Sequence, residues 1–188
     1  MAENTDNGSG RHGNRWRIAV WGTAALILLL PLLAMQFTGE VVWDLADFAV
    51  FGAMLVGACG TYELAARVTG NKASRAAVGV ALAAAFILVW MNLAVGIIGT
   101  ENNPANLMYG GVLAVGIIGA IIARFQPHGM ARALVATALA QALVAVIALI
   151  AGFGYTLILT GFFVALWLTS AGLFRRAARE QTPAGAAQ

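Results

Sequence analysis

The chain has 188 residues, of which 61% are hydrophobic and 10% are charged, and its formal net charge is +3. Because an ordinary soluble domain is roughly half apolar and about a quarter charged, this composition excludes a water-soluble globular protein. One membrane-spanning helix needs about 20 mainly apolar residues, so the length leaves room for about six such helices and little else.

The first segment in chain order, residues 1–14, is polar, and we expect it to be a disordered cytoplasmic tail. The apolar stretches that follow predict an all-α, polytopic membrane domain over residues 15–176. Six stretches are predicted to span the membrane, with the approximate bounds 17–37, 44–66, 75–98, 107–123, 131–151 and 155–174. The last residues, 177–188, are expected to form a second disordered cytoplasmic tail.

Short polar segments rich in Gly, Asn and Pro separate the six stretches. Because each separator is short, consecutive helices are predicted to run antiparallel. The sequence therefore predicts a bundle of six transmembrane helices arranged as three antiparallel hairpins.

The basic residues of the chain fall on one side of this predicted bundle. They are Arg11, Arg15, Arg17, Arg67, Lys72, Arg75, Arg124, Arg132, Arg175, Arg176 and Arg179. The positive-inside rule then predicts that both termini are cytoplasmic. The short loops and Ala-rich helices favour a bacterial inner membrane. The positive charge is explained by topology and by anionic lipid headgroups, so the expected partner is the lipid bilayer, and no nucleic acid is expected.

Polar side chains concentrate at the predicted outer rim, where hard oxygen ligands suit a divalent cation or an acidic mouth that gathers cations. This candidate cluster contains Asp44, Asp47, Asn92, Glu101, Asn102, Asn103 and Asn106. Helix capping is the competing interpretation. It takes Asp44 with Asp47 as an N-cap pair and Asn103 with Pro104 as a cap and first-turn proline, and it explains Glu101 and Asn92 least well.

Two polar residues fall inside predicted spans. Glu63 lies near the cytoplasmic end of the second helix, four residues before Arg67, so an i, i+4 ion pair competes with a role in proton relay or gating. Gln141 lies near the bilayer centre. There an amide either bridges helices by a hydrogen bond or binds a substrate, and bridging is the commoner use.

Several chemistries are disfavoured by residue content. With two His and one Cys in the chain, paired haem ligation, a His-based zinc site and a disulfide within the chain lack ligands. No Gly-rich phosphate loop ends in Lys-Ser or Lys-Thr. We therefore expect no enzyme, no metal site and no cofactor.

Small residues recur on several helices at spacings that permit close backbone approach. One such stripe, on the second helix, contains Ala49, Ala53, Gly57 and Thr61. Another, on the fourth helix, contains Gly111, Gly116 and Gly119. An Ala-rich composition explains this surplus, and so does an interface with a second copy or a partner membrane subunit.

Two functions of an inner-membrane protein fit these features. The leading hypothesis is a non-enzymatic accessory or interaction subunit, because ionisable groups are scarce inside the spans and small-residue faces are abundant. The alternative is a small permease or channel for a cation or a small neutral solute that enters from the acidic outer rim.

Overall fold

The computed structural model describes the backbone of residues 8–185 and the side chains of residues 17–181. Over this range it is all-helical, with six helices long and apolar enough to cross a membrane. The helices are α1 Gly8–Phe37, α2 Leu45–Val68, α3 Lys72–Ala94, α4 Leu107–Ile122, α5 Pro127–Ile150 and α6 Thr156–Gly185, with a short 3-10 turn at Pro104–Asn106 before α4. Each helix exposes large apolar side chains. These features indicate a multi-pass membrane protein.

The terminal helices are longer than the sequence predicts. Helix α1 begins at Gly8 and α6 continues to Gly185, so both reach into segments that we expected to be disordered. The extension of α6 is rich in Ala, Arg, Glu and Gln, which are good helix formers. The outermost parts of the two expected tails, residues 1–7 and 186–188, lie outside the described residues.

Helix α3 ends four residues before the predicted Ile98, at Ala94. Gly96 adopts a left-handed backbone with φ of +68°, which a side chain disfavours. A Cβ at Gly96 would lie 2.6 Å from the Thr100 carbonyl oxygen, so the chain folds back tightly there. The prediction that the third helix reaches Ile98 is wrong because hydropathy does not detect this turn.

The chain divides into two compact units, one ending at Leu64 and one beginning at Ala65. In the first, which we call the N-terminal unit, Leu28 of α1 lies 3.9 Å from the position of a Cβ at Gly52 of α2. The ring of Trp43 makes edge contacts with Phe48 and Phe51, at centroid distances of 5.2 and 5.3 Å. These contacts pack Trp43, which lies just before α2, against the first two turns of that helix.

The second unit, which we call the four-helix unit, contains α3 to α6. Helix α5 packs against α4 and α6, and α6 also packs against α3, whereas α3 and α4 make few contacts. The third and fourth helices therefore do not pack as the close hairpin that their short connection suggested. Helix α5 has the largest buried share of the spans and forms the centre of this unit.

Small residues bring α4 and α5 together. A Cβ at Gly119 would lie 2.7 Å from the Cβ of Ala133, and one at Gly116 would lie 3.1 Å from the Thr137 hydroxyl. Across the unit, the buried Ser170 hydroxyl of α6 donates to the carbonyl oxygen of Ala77 of α3 at 2.7 Å. Close backbone approach and one interhelical hydrogen bond are the forces expected to hold helices together in lipid.

Two loops meet at one end of the four-helix unit. The Gly99 amide donates to the Tyr155 hydroxyl at 2.8 Å, and the ring of Phe153 lies 3.5 Å from the position of a Cβ at Gly99. We call this end, formed by residues 95–106 and 151–155, the joined end. It places the end of α3, the start of α4, the end of α5 and the start of α6 near one another.

Candidate functional site

Asp44 and Asp47 form a reciprocal helix cap at the start of α2. The Asp47 amide donates to Asp44 Oδ1 at 2.9 Å, and the Asp44 amide donates to Asp47 Oδ2 at 3.0 Å. Each carboxylate therefore satisfies a backbone donor that a helix start leaves without a partner. This is the arrangement that the capping interpretation predicts, and it lies within the N-terminal unit.

Asn106 anchors the loop at the joined end. Its Oδ1 accepts from the amides of Ile97 and Ile98 at 3.1 and 2.8 Å, and its Nδ2 donates to the Thr100 carbonyl oxygen at 2.8 Å. The side chain is buried. One amide thus replaces three of the backbone hydrogen bonds that the loop lacks, which is a structural role that the sequence did not reveal.

Asn92 and Asn103 also belong to the joined end. Asn103 Oδ1 accepts from the Ala105 amide at 3.0 Å and caps the 3-10 turn, as the Asn-Pro pair predicted. Asn92 Nδ2 donates to the Asn106 backbone oxygen at 3.2 Å. The other atom of that amide, Asn92 Oδ1, is buried and has no hydrogen-bond partner among the described residues.

Glu101 and Asn102 are exposed at the joined end. The structure thus brings Asn92, Asn103 and Asn106 together through loop hydrogen bonds, and it places Glu101 and Asn102 on the surface of the same loop. Most of the predicted rim residues with described hydrogen bonds pair with backbone atoms. These bonds therefore do not assemble a set of acidic ligands.

Glu63 connects the two helices of the N-terminal unit. Its Oε1 lies 2.8 Å from Arg17 Nε, and its Oε2 accepts from Trp21 Nε1 at 3.2 Å. The side chain is 17% exposed. Both of these partners come from α1, and pairing across helices depends on packing that spacing within one helix does not describe. The i, i+4 pair with Arg67 stays a prediction.

Gln141 has the most unusual environment of the predicted residues. Its side chain is 0% exposed, and neither Nε2 nor Oε1 has a hydrogen-bond partner among the described residues. The interhelical bridge, the commoner of the two predicted roles, is therefore not among the described hydrogen bonds, and the substrate-binding role stays a prediction. A buried amide without partners costs roughly 2–7 kcal/mol, depending on the reference environment.

Four other side chains in the same unit also carry a buried polar atom without a partner among the described residues, and together with Gln141 we call them the polar core. The members are Asn92, Tyr109, Gln141, Thr160 and Trp167. A further such atom, the hydroxyl of Ser74, lies near the other end of α3 and is not included. Natural proteins leave few buried polar atoms without partners, so each of these atoms is a candidate for pairing with a small polar molecule.

The polar core extends from the joined end into the middle of the unit. At a rise of 1.5 Å per residue, Tyr109 lies about 3 Å along α4 and Thr160 about 6 Å along α6. By the same rise, Gln141 lies about 13 Å before the end of α5 and Trp167 about 16 Å along α6. Since a bilayer core is about 30 Å thick, the two deepest members lie near its middle.

Neighbouring members of the polar core support this order. The Tyr109 hydroxyl lies next to Thr160, although neither oxygen has a partner among residues 17–181 that meets hydrogen-bond geometry. Thr160 and Trp167 lie seven residues apart on α6, with the buried Phe163 between them, so they share one face. Their seven-residue spacing is also that of ordinary packing residues on one helix face, so it did not distinguish them in the sequence.

The chemistry of the polar core is that of neutral hydrogen bonding. Its amides and hydroxyls both donate and accept, and the Trp167 indole only donates. Among the described residues, no group of three or more His, Cys, Asp or Glu is placed to hold a metal ion. These atoms therefore offer donors and acceptors for hydrogen bonds to a small neutral polar partner.

Comparison with known proteins provides no relative from which a role for these residues could be taken. No protein-family model, curated protein or solved structure matches the chain.

Proposed function

We propose that this multi-pass membrane protein is a small permease or channel, and that a small polar solute crosses it along the polar core of the four-helix unit. The observation that supports the proposal is the Gln141 amide, which is fully buried near mid-depth and whose two polar atoms have no hydrogen-bond partner in the described part of the chain. If position 141 had a purely structural role, an apolar residue would fill it without the cost of a buried amide. An amide that stabilises a passing solute gives this costly group a use.

The topology belongs to the same proposal. Lys72 at the start of α3 and Arg124 just after the end of α4 lie at the end opposite the joined end. The positive-inside rule then places that end and both termini in the cytoplasm of a bacterial inner membrane. The joined end faces outward, and solute enters beside Asn92 and Tyr109, while the exposed Glu101 contributes negative charge to this rim.

The direct test is solute flux through purified protein in liposomes, with urea, glycerol and Rb⁺ as probes. Substituting Gln141→Leu keeps the side chain large and removes both hydrogen-bonding atoms, so we expect at least a tenfold slower flux of the conducted probe. Stopped-flow light scattering measures urea and glycerol, and tracer uptake measures Rb⁺.

Two further variants make this result specific. Gln141→Asn retains an amide and should retain part of the flux, and Leu139→Ala changes a lipid-facing residue of the same helix, 68% exposed, and should leave flux unchanged. Equal flux in the wild type and in Gln141→Leu would contradict the proposed path.

A second function, the non-enzymatic accessory or interaction subunit, is favoured by the open face of α2. A Cβ at Gly57 or Gly60 would meet no atom within 4 Å, so another helix could approach closely there, from a second copy or from a partner subunit. The same liposomes separate the two functions, because a subunit that only binds a partner conducts none of the probes by itself.

A further inference from the structure

The charge distribution of the four-helix unit bears on the chemical class of its solute. Every Asp, Glu, Lys, Arg and His of this unit whose side chain is described is exposed. These residues are Arg67, Lys72, Arg75, Glu101, Arg124, His128, Arg132, Arg175, Arg176, Arg179 and Glu180. The buried polar side chains of the unit are instead neutral: Ser74, Asn106, Thr137, Gln141, Thr156, Thr160 and Ser170.

An ion would lose most of its hydration in such an interior. A cation such as Ca²⁺ takes 6–8 oxygen ligands, whereas the oxygens without partners in the polar core, those of Asn92, Tyr109, Gln141 and Thr160, are spread along its depth. Backbone carbonyls in the helices are already engaged in helix hydrogen bonds. Without a buried opposite charge or a full oxygen shell, moving an ion past these residues carries a large desolvation penalty.

A neutral molecule meets a more favourable environment. The Gln141 amide and the two hydroxyls of Tyr109 and Thr160 each both donate and accept, Asn92 Oδ1 accepts and Trp167 Nε1 donates. A small molecule with its own N–H or O–H donors and its own oxygen acceptors can pair with both kinds of atom at successive depths. It exchanges hydrogen bonds with water for hydrogen bonds with the protein at each step.

We infer that the solute of the four-helix unit is a small uncharged molecule that both donates and accepts hydrogen bonds, of the class of water, urea and small polyols, and that ions are excluded. This inference rests on the proposed function. It assigns the side chains of the polar core as the solute-binding residues. Of the two solute classes that the sequence left open, a cation and a small neutral solute, it retains the neutral solute.

The test compares probes in the same liposomes: urea and glycerol as neutral solutes, and Rb⁺ and Cl⁻ as ions. We expect urea or glycerol to cross at least tenfold faster than in empty liposomes, with Rb⁺ and Cl⁻ at the empty-liposome rate. Trp167→Phe keeps an aromatic ring and removes the N–H donor, so we expect a threefold to tenfold slower neutral flux. Phe162→Leu, on the exposed side of α6, is the matched control.

The outcomes separate the inference from the proposed function. Flux of Rb⁺ or Cl⁻ that disappears in Gln141→Leu, without flux of urea or glycerol, overturns the neutral-solute inference and leaves a path through the polar core intact. No flux of any probe above empty liposomes, with protein shown to be folded by its circular dichroism, overturns both. Neutral flux that is unaffected by Gln141→Leu and Trp167→Phe removes the polar core as its route.

Discussion

Replacing Gly119 with valine is expected to destabilise the four-helix unit more than any other single change to a small residue of α4. A Cβ at this position would lie 2.7 Å from Ala133 Cβ and 3.2 Å from Ala133 Cα, so α4 and α5 must move apart. Overpacking of this kind costs about 1–3 kcal/mol. Since packing is a main force between helices in lipid, we expect a lower midpoint of unfolding by sodium dodecyl sulfate in mixed micelles.

The matched control for this prediction lies on the same helix. Gly111→Val places the same side chain where a Cβ meets nothing within 4 Å, so its unfolding midpoint should stay close to that of the wild type. If Gly119→Val and Gly111→Val unfold at the same detergent concentration, the close contact between α4 and α5 is wrong.

Replacing Asn106 with alanine is expected to loosen the joined end. The change leaves the buried amides of Ile97 and Ile98 and the Thr100 carbonyl oxygen without their partner. A buried donor or acceptor left without a partner costs about 1–3 kcal/mol, so the loss should be among the largest for a single polar side chain. Hydrogen exchange measured by mass spectrometry should show faster exchange over residues 95–103.

Two other variants separate the hydrogen bonds of Asn106 from a general loss of folding. Asn106→Asp keeps an acceptor for both amides and removes only the donor to Thr100, so exchange should rise less than in Asn106→Ala. Asn102→Ala changes an exposed residue of the same loop and should leave exchange unchanged. Unaltered protection of Ile97 and Ile98 in Asn106→Ala would show that the loop is held in another way.

Local signals in the sequence predicted local structure well. Asp44 and Asp47 were expected to cap α2, and they do so because a capping pair needs only residues three apart on one backbone. The existence of six helices followed from apolar length. The bounds were less accurate where a backbone conformation decided them, as at Gly96, whose left-handed turn ends α3 early.

Packing between helices was the part that the sequence could not predict. In lipid, hydrophobicity does not distinguish the face that meets a neighbour from the face that meets acyl chains. Gly111 and Gly119 were therefore equivalent candidates on one stripe, although only Gly119 contacts α5. A serine inside a helix commonly bonds to the backbone of its own helix, whereas Ser170 bonds to α3.

The same limit applies to the candidate site. Gln141 was identified because an amide in the middle of an apolar span is conspicuous, but whether it has a partner depends on the helices around α5. Tyr109, Thr160 and Trp167 carry apolar bulk or small hydroxyls that suit ordinary packing, so the sequence did not mark them. Only the arrangement of α4, α5 and α6 shows that their polar atoms are buried without partners.

Solvent access to position 141 can be measured directly with a single cysteine. In a background where the one native cysteine is replaced by Cys59→Ser, Gln141→Cys and Leu139→Cys place a thiol on the interior and on the lipid-facing side of α5, at 0% and 68% exposure of the native residues. The thiolate is the reactive form of cysteine and does not form in an apolar environment.

We predict that methyl methanethiosulfonate, a small neutral reagent, modifies Gln141→Cys in intact membrane vesicles at least tenfold faster than Leu139→Cys, and that 1 M urea slows the reaction. A Gln141→Cys thiol that is as unreactive as Leu139→Cys would contradict a water-accessible polar core and, with it, the solute path through the four-helix unit.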